Sequence, residues 1–169
     1  MNEDSDNPSR PAYLIDLDLA IRINRKGSSG ARGRTGTRAF MAIGALLDEE
    51  HSFMHDCESF FWVLLWICVH YNQKGTESVV VPDFEKWNYV DMAELAKLKK
   101  GTIDDERDFQ RTAEENFTPY YQPLAPWVNR LRRIVFPNNA RWRKEDKELP
   151  SRMKEILREA QKDPKVLEE

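Results

Sequence analysis

The run SFFWVLLWICVHY, residues 59–71, constrains the fold more than any other stretch of the chain. Ser59 and His70 are its only strongly polar residues. A helix apolar on every side must be enclosed by other elements, so the rest of the chain has to wrap around this one. The run is shorter than the ~20 residues a membrane-spanning helix needs. It therefore reads as the core helix of a globular domain, over about residues 55–72, with Ser52 or His55-Asp56 at its start and Asn72 to Gly75 at its end. Both cysteines, Cys57 and Cys68, fall on it. Eleven positions apart on a helix they stand ~16 Å from each other, beyond disulfide reach, and read as reduced thiols.

A chain of 169 residues suffices for one domain with a real core. Its 40% apolar and 33% charged residues exclude a disordered or fibrous chain. The net charge of −3 gives no support for a nucleic-acid or membrane-surface partner. The first ten residues, MNEDSDNPSR, are acidic and polar and do not resemble a signal peptide. An intracellular protein, cytoplasmic or nuclear, is expected.

The pattern is mainly α. AFMAIGALLDEE is apolar enough to dock on the core, with Trp62 and Trp66 most simply core residues of the central helix. TESVVVPDFEKWN reads as an irregular link with a brief extended piece at Val79-Val81. A helix is expected from Asp91 to a glycine stop at Gly101, and an amphipathic helix in TIDDERDFQRTAEENF. Another should run from Ala125 to Phe136, and a last one, exposed on one side, in PSRMKEILREAQKDP. The only expected β element lies at the N-terminal end, where Tyr13-Leu14-Ile15 reads as a short buried strand.

That strand leads into two acids, Asp16 and Asp18. A buried charge is costly unless paired, hydrogen-bonded or bound to a cation, so either a turn cap or a cation site explains them. NRKGSSGARGRTGTR, residues 24–38, follows as a basic, glycine-rich loop without an acid. It lacks the Gly-Lys-Ser/Thr of a phosphate loop. His51 and His55 have helical i, i+4 spacing, but no Glu follows the first and no third ligand is evident, so no zinc site is expected. NNARWRKEDK mixes aromatic and basic residues, yet its acids argue against nucleic acid.

Three pieces stand in order: Asp16-Leu17-Asp18 after a strand, GTRAFMA at Gly36–Ala42, and a buried helix opening HDCESFFWVLLW with Asp56 at its base. Together they resemble the fungal-type protein kinase family, a divergent branch of the eukaryotic protein kinase fold, strongly over residues 12–72 and loosely beyond. The resemblance implies a kinase-like C-lobe over residues 12–145, with an activation segment at about 16–47. A flexible segment, 1–11, would precede it, and a C-terminal helix and tail, 146–169, would follow. It implies that Asp16 binds Mg²⁺ against the nucleotide phosphates, with Asp18 open to the same role or to a turn cap. Thr37 would belong to the substrate site and help orient the catalytic loop. Asp56 would bond backbone N–H groups of that loop, N-capping of its own helix being the local alternative. Ser28, Ser29 and Thr35 are possible phosphorylation sites in the activation segment, where a plain solvated loop is the other reading. Gly44 stands where the family has a glutamate that pairs with an arginine from the later helices, and its loss is expected to weaken stability or activity.

No His-Arg-Asp loop, no Val-Ala-Ile-Lys strand and no Gly-rich nucleotide loop is found. By resemblance the catalytic loop belongs upstream of Asp16, in the interval where the chain begins, so an absent N-lobe is expected, with apolar surface exposed where the nucleotide cleft would lie. Two readings result. One is the C-lobe portion of a Ser/Thr protein kinase, using ATP and Mg²⁺ in the complete protein and inactive as this chain alone. The other is a non-catalytic, pseudokinase-like helical binding module. The protein substrate and any N-lobe-bearing partner are unidentified on either.

Overall fold

Ser52 starts the central helix, α2 (Phe53–His70). Its hydroxyl accepts from the Met54 amide at 3.3 Å, while its own amide donates to His55 Nδ1 at 3.2 Å. This is a capping box in which histidine replaces the usual Glu or Gln. Asp56, the alternative cap, lies instead within the first turn. The helix ends where Tyr71 turns extended, and Thr118 closes the exposed carbonyls: its amide donates to Cys68 O at 2.9 Å and its hydroxyl to Tyr71 O at 2.7 Å.

The computed structural model describes residues 37–72 and 79–167, all within the unit Gly33–Glu169. Among them the helices are α1 (Ile43–Leu46), α2, α3 (Pro82–Glu85), α4 (Met92–Asp104), α5 (Glu106–Asn116), α6 (Ala125–Val135), α7 (Leu149–Ala160) and α8 (Pro164–Leu167). Single 3₁₀ turns stand at Arg38–Phe40, Lys86–Asn88, Gln122–Leu124 and Pro137–Asn139. The architecture is mainly α, and the described residues include no strand. The β element expected at Tyr13-Ile15 lies outside them. No helix among the described residues is long and apolar enough to cross a membrane.

The other helices do wrap α2, as its composition requires. Phe61 and Trp62 are fully buried, and Phe61 meets Phe136 edge-on at 5.3 Å and Phe109 at 6.2 Å. Trp62 meets Trp87 at 5.5 Å. Leu95 from α4, Val128, Leu131 and Val135 from α6, and Leu149, Met153 and Ile156 from α7 complete the same cluster. Trp66 is partly buried against it. Burying each large apolar side chain contributes about 1.5–3 kcal/mol. Cys68 is buried too, and desolvation pushes its thiol up to about 12, so it stays protonated and inert. Cys57 is half-buried, and both thiols are free.

The expected stop at Gly101 is not observed: α4 runs through it to Asp104. Ile103 is the reason, since it is 2% exposed and reaches the core only if the helix continues. Gly101 faces open space, with nothing within 4 Å of an added Cβ, so it costs the helix only about 1 kcal/mol relative to Ala. Asp105 then caps α5, accepting from the Arg107 and Asp108 amides at 2.8 and 3.1 Å.

Arg132 of α6 is a buried guanidinium with four acceptors. It donates to Asn129 Oδ1 at 2.9 Å, Ile103 O at 3.0 Å, Asn139 Oδ1 at 2.9 Å and Glu106 Oε2 at 3.3 Å. Asn138 and Asn139 take left-handed φ values of 58° and 57° there, a conformation Asn adopts more readily than most residues.

Two outcomes are expected. Phe61→Ala should lower unfolding free energy by about 3–5 kcal/mol in chemical denaturation, because α2 cannot collapse into the space left. Hydrogen bonds from Arg133 and Asn129 hold the Glu106 carboxyl down at about 2, below the usual 4.5. A carboxyl with a lowered folded-state pKa stabilises above its unfolded value and loses that contribution as pH falls through the folded one. Glu106→Gln should therefore flatten the fall in stability between about pH 4.5 and about pH 2.

Candidate functional site

The segment Thr37–Leu46 lies against α2 and α4 and consists of a 3₁₀ turn, an extended Met41-Ala42 and the short α1. An extended dipeptide exposes backbone groups that helix formation does not satisfy. Core side chains satisfy two of the segment's backbone groups, and its own Arg38 side chain ties it to the chain before α4. Arg38 Nη1 donates to Val90 O at 2.9 Å. Lys99 Nζ donates to Met41 O at 2.6 Å. Glu58 Oε1 accepts from the Ile43 amide at 2.6 Å, and from Trp62 Nε1 at 3.0 Å. Thr37 precedes the 3₁₀ turn, exposed, and its side chain caps nothing.

Glu58 and Lys99 are both 0% exposed. Desolvation raises the Glu58 carboxyl above the ordinary range, opposed by the Ile43 amide, Trp62 and the nearby positive charges of Lys99 and Arg141. Desolvation also brings Lys99 down to about 7, opposed by the Glu58 charge. The Lys99 ammonium sits 4.5 Å from the Trp62 ring centroid and 5.3 Å from that of Trp87, where aromatic faces replace part of its lost hydration.

α1 ends in a tight reversal. Asp48 takes a left-handed φ of 70°, and the Glu49 amide donates back to Gly44 O at 3.0 Å. These are the features of a Schellman motif, with aspartate where glycine is usual. The reversal brings the Glu49 carboxylate over Gly44, where it pairs with Arg141. A Cβ on Gly44 would collide with His55 Nε2 and Glu49 Oε2 and lie 3.0 Å from an Arg141 guanidinium nitrogen. Arg141, in the link between α6 and α7, thus pairs with the Glu49 carboxylate beside position 44. The Arg141 hydrogen bond lowers the Glu49 pKa. His55 is buried, 3.7 Å from Glu49 Oε2, with its pKa lowered chiefly by desolvation.

Asp56 sits in the first turn of α2 with its side chain 71% exposed, and His51 Nε2 lies 3.1 Å from its Oδ1. Beside it an open groove of about 530 Å³ runs between α2 and α7, lined by Cys57, Phe60, Met153, Leu157 and Arg158. Phe60 is 48% exposed there. Asp56 stands in the first turn of α2, whereas the Thr37 segment reaches from the level of Glu58, through Ile43, to that of Trp66, whose ring Phe40 meets at 5.7 Å. His51 and His55 rings stand 6.1 Å apart and face different partners. Asp16, Asp18, Ser28, Ser29 and Thr35 lie outside the described residues.

Glu58, Lys99, Glu49 and Arg141 were not singled out from the sequence. Two of them had a signal. Glu58 is an acid on the apolar helix, and Lys99 occupies the buried stripe Leu95, Lys99, Ile103. Glu49 and Arg141 had none, since 92 positions of chain separate them.

Residues 1–68 match the family model described as fungal protein kinase. No curated protein and no solved structure matches the chain.

Glu49 and the buried His55 occupy the space an added side chain at position 44 would need, so Gly44→Glu should destabilise strongly, and Glu49→Ala by about 1 kcal/mol as a half-exposed pair. In the double variant the new carboxylate can take over Arg141. A double-mutant cycle should then show a favourable coupling of about 0.5–3 kcal/mol, whereas additive losses would show that the two positions do not share the arginine.

Proposed function

From the match of residues 1–68 to the family model described as fungal protein kinase, we propose that the chain belongs to that family and forms the substrate-side part of a Ser/Thr protein kinase C-lobe. The single observation that carries this reading is the anchoring of Thr37–Ile43: a segment held to the core through the Met41 carbonyl, the Ile43 amide and the Arg38 side chain, with Thr37 exposed at its leading edge. A cradle for an acceptor hydroxyl needs that combination of fixed backbone and accessible side chain. Asp56 fits the same reading, because an exposed carboxylate that does not cap its own helix is available to amides of a catalytic loop.

ATP and Mg²⁺ belong to the complete kinase in this reading. Among the described residues no three His, Cys, Asp or Glu side chains converge to hold a metal, and the reading places the ion on Asp16, where one or two carboxylates and the nucleotide phosphates would suffice. Phosphoryl transfer rests on positioning and electrostatic stabilisation. The 169 residues carry neither a His-Arg-Asp base nor a lysine-bearing strand motif, and by themselves they should not transfer phosphate. The apolar groove beside Asp56 favours a second reading, a pseudokinase-like module whose work is binding. Loss of the glutamate at Gly44 no longer argues for it, since Glu49 holds Arg141.

Titration with a fluorescent ATP analogue separates the readings. The kinase reading expects Mg²⁺-dependent binding that weakens about tenfold or more in Asp16→Asn, with no phosphate transfer from this chain. Binding absent in both proteins, or indifferent to Mg²⁺ and to the substitution, would leave the binding-module reading.

A further inference from the structure

Lys99 is a poor place to keep a positive charge. Of its three ammonium hydrogens one has an acceptor, Met41 O. The rest of its surroundings are the indole faces of Trp62 and Trp87. Among the described residues Glu58 is the only charged side chain acting on it, and the two form no direct ion pair. Glu58 is itself incompletely matched: Oε1 has two donors, but Oε2 is buried without one. Trp62 joins them, giving its Nε1–H to Glu58 and its ring face to Lys99. The other charge acting on Glu58 is Arg141, in the chain between α6 and α7. Lifting Met41-Ile43 off the core would uncover the Met41 carbonyl's partner and admit water to Lys99.

We propose that Lys99 and Glu58 are the positioning residues of the substrate segment, holding it by the backbone at Met41 and Ile43 with a grip set by the proton on Lys99. The inference rests on reading Thr37–Ala42 as the substrate cradle. A neutral amine donates to Met41 O and has few unmet hydrogen bonds. An ammonium in the same place leaves two N–H groups without acceptors, and it gains water when the segment lifts. The open state therefore binds the proton more tightly than the closed one, and linkage closes the segment as pH rises through the Lys99 midpoint. The depressed Lys99 value, about 7, places that change near neutrality.

Amide hydrogen exchange measures the grip directly in this chain. The Ile43 amide donates to Glu58, and the Leu46 and Leu47 amides donate to Ala42 O and Ile43 O, so all three report the opening. Leu131 and Val135, in the core of α6, report global opening. Between about pH 6 and about pH 8, after correction for intrinsic exchange, protection of the three segment amides should rise about tenfold. It should stay below that of Leu131 and Val135 throughout. Lys99→Met should abolish the rise. If that variant does not fold, the Cε shift of Lys99 in the unaltered protein decides, because its midpoint must fall where protection begins to rise. A flat profile, a rise that survives Lys99→Met, a Lys99 midpoint away from that onset, or segment amides opening only with α6 would each overturn the proposal. None of these readouts uses catalysis, so a failed nucleotide titration beside a pH-dependent grip would sink the kinase reading and leave the clamp standing.

Discussion

The structure depends on one carboxylate in an unfavourable place. Glu58 stands at zero exposure, one turn before the fully buried aromatic pair Phe61 and Trp62 of the core helix. Burial of such a group costs several kcal/mol unless it is well hydrogen-bonded. Its two donors come from different levels of the fold: Trp62 one turn along its own helix, and the Ile43 amide fifteen positions upstream. The second bond docks the Thr37–Leu46 segment onto the core helix. Replacing Glu58 by an apolar residue would relieve the burial and also remove the acceptor that tells Ile43 where to sit. The carboxylate thus adds register rather than stability.

The same division recurs around the molecule. Apolar packing of α2 against α4, α5, α6 and α7 supplies the stabilisation, while sparse buried polar groups fix where the connecting segments go. Arg132 ties the end of α4, the start of α5 and the Pro137–Asn139 turn together through four acceptors. Lys99 fixes Met41, and Arg141 meets Glu49 over Gly44. Each is a single charged side chain reaching backbone or a distant partner. Each is also costly to leave half-satisfied, which makes these positions sensitive to conservative substitution.

Much of the architecture was legible in the sequence because it follows from local chemistry. An all-round apolar run has to be a core helix, Asp91 is a strong cap, and the amphipathic stripes of α5, α6 and α7 have a plain helical period. Gly101 misled because a glycine stop is a local rule, and burial of Ile103 two residues later outweighed it. The candidate site was legible only in part. Thr37 and Asp56 stood out through their motif context, whereas Glu49 and Arg141 meet only because a left-handed Asp48 reverses the chain and the segment after α6 folds back. No spacing in the sequence encodes that meeting. Glu58 and Lys99 were visible as charges on apolar stripes, but such charges read equally well as solvated until the opposing backbone is known.

The Ile43 amide proton tests the central claim most directly. A 2.6 Å bond to a buried carboxylate is short and charge-assisted, and it should shift that proton far downfield in the NMR spectrum. The docked segment predicts such a resonance, moving upfield in Glu58→Gln while the α6 amides stay where they are. An Ile43 proton at an ordinary unstructured position, indifferent to Glu58, would contradict the docking on which the site is built.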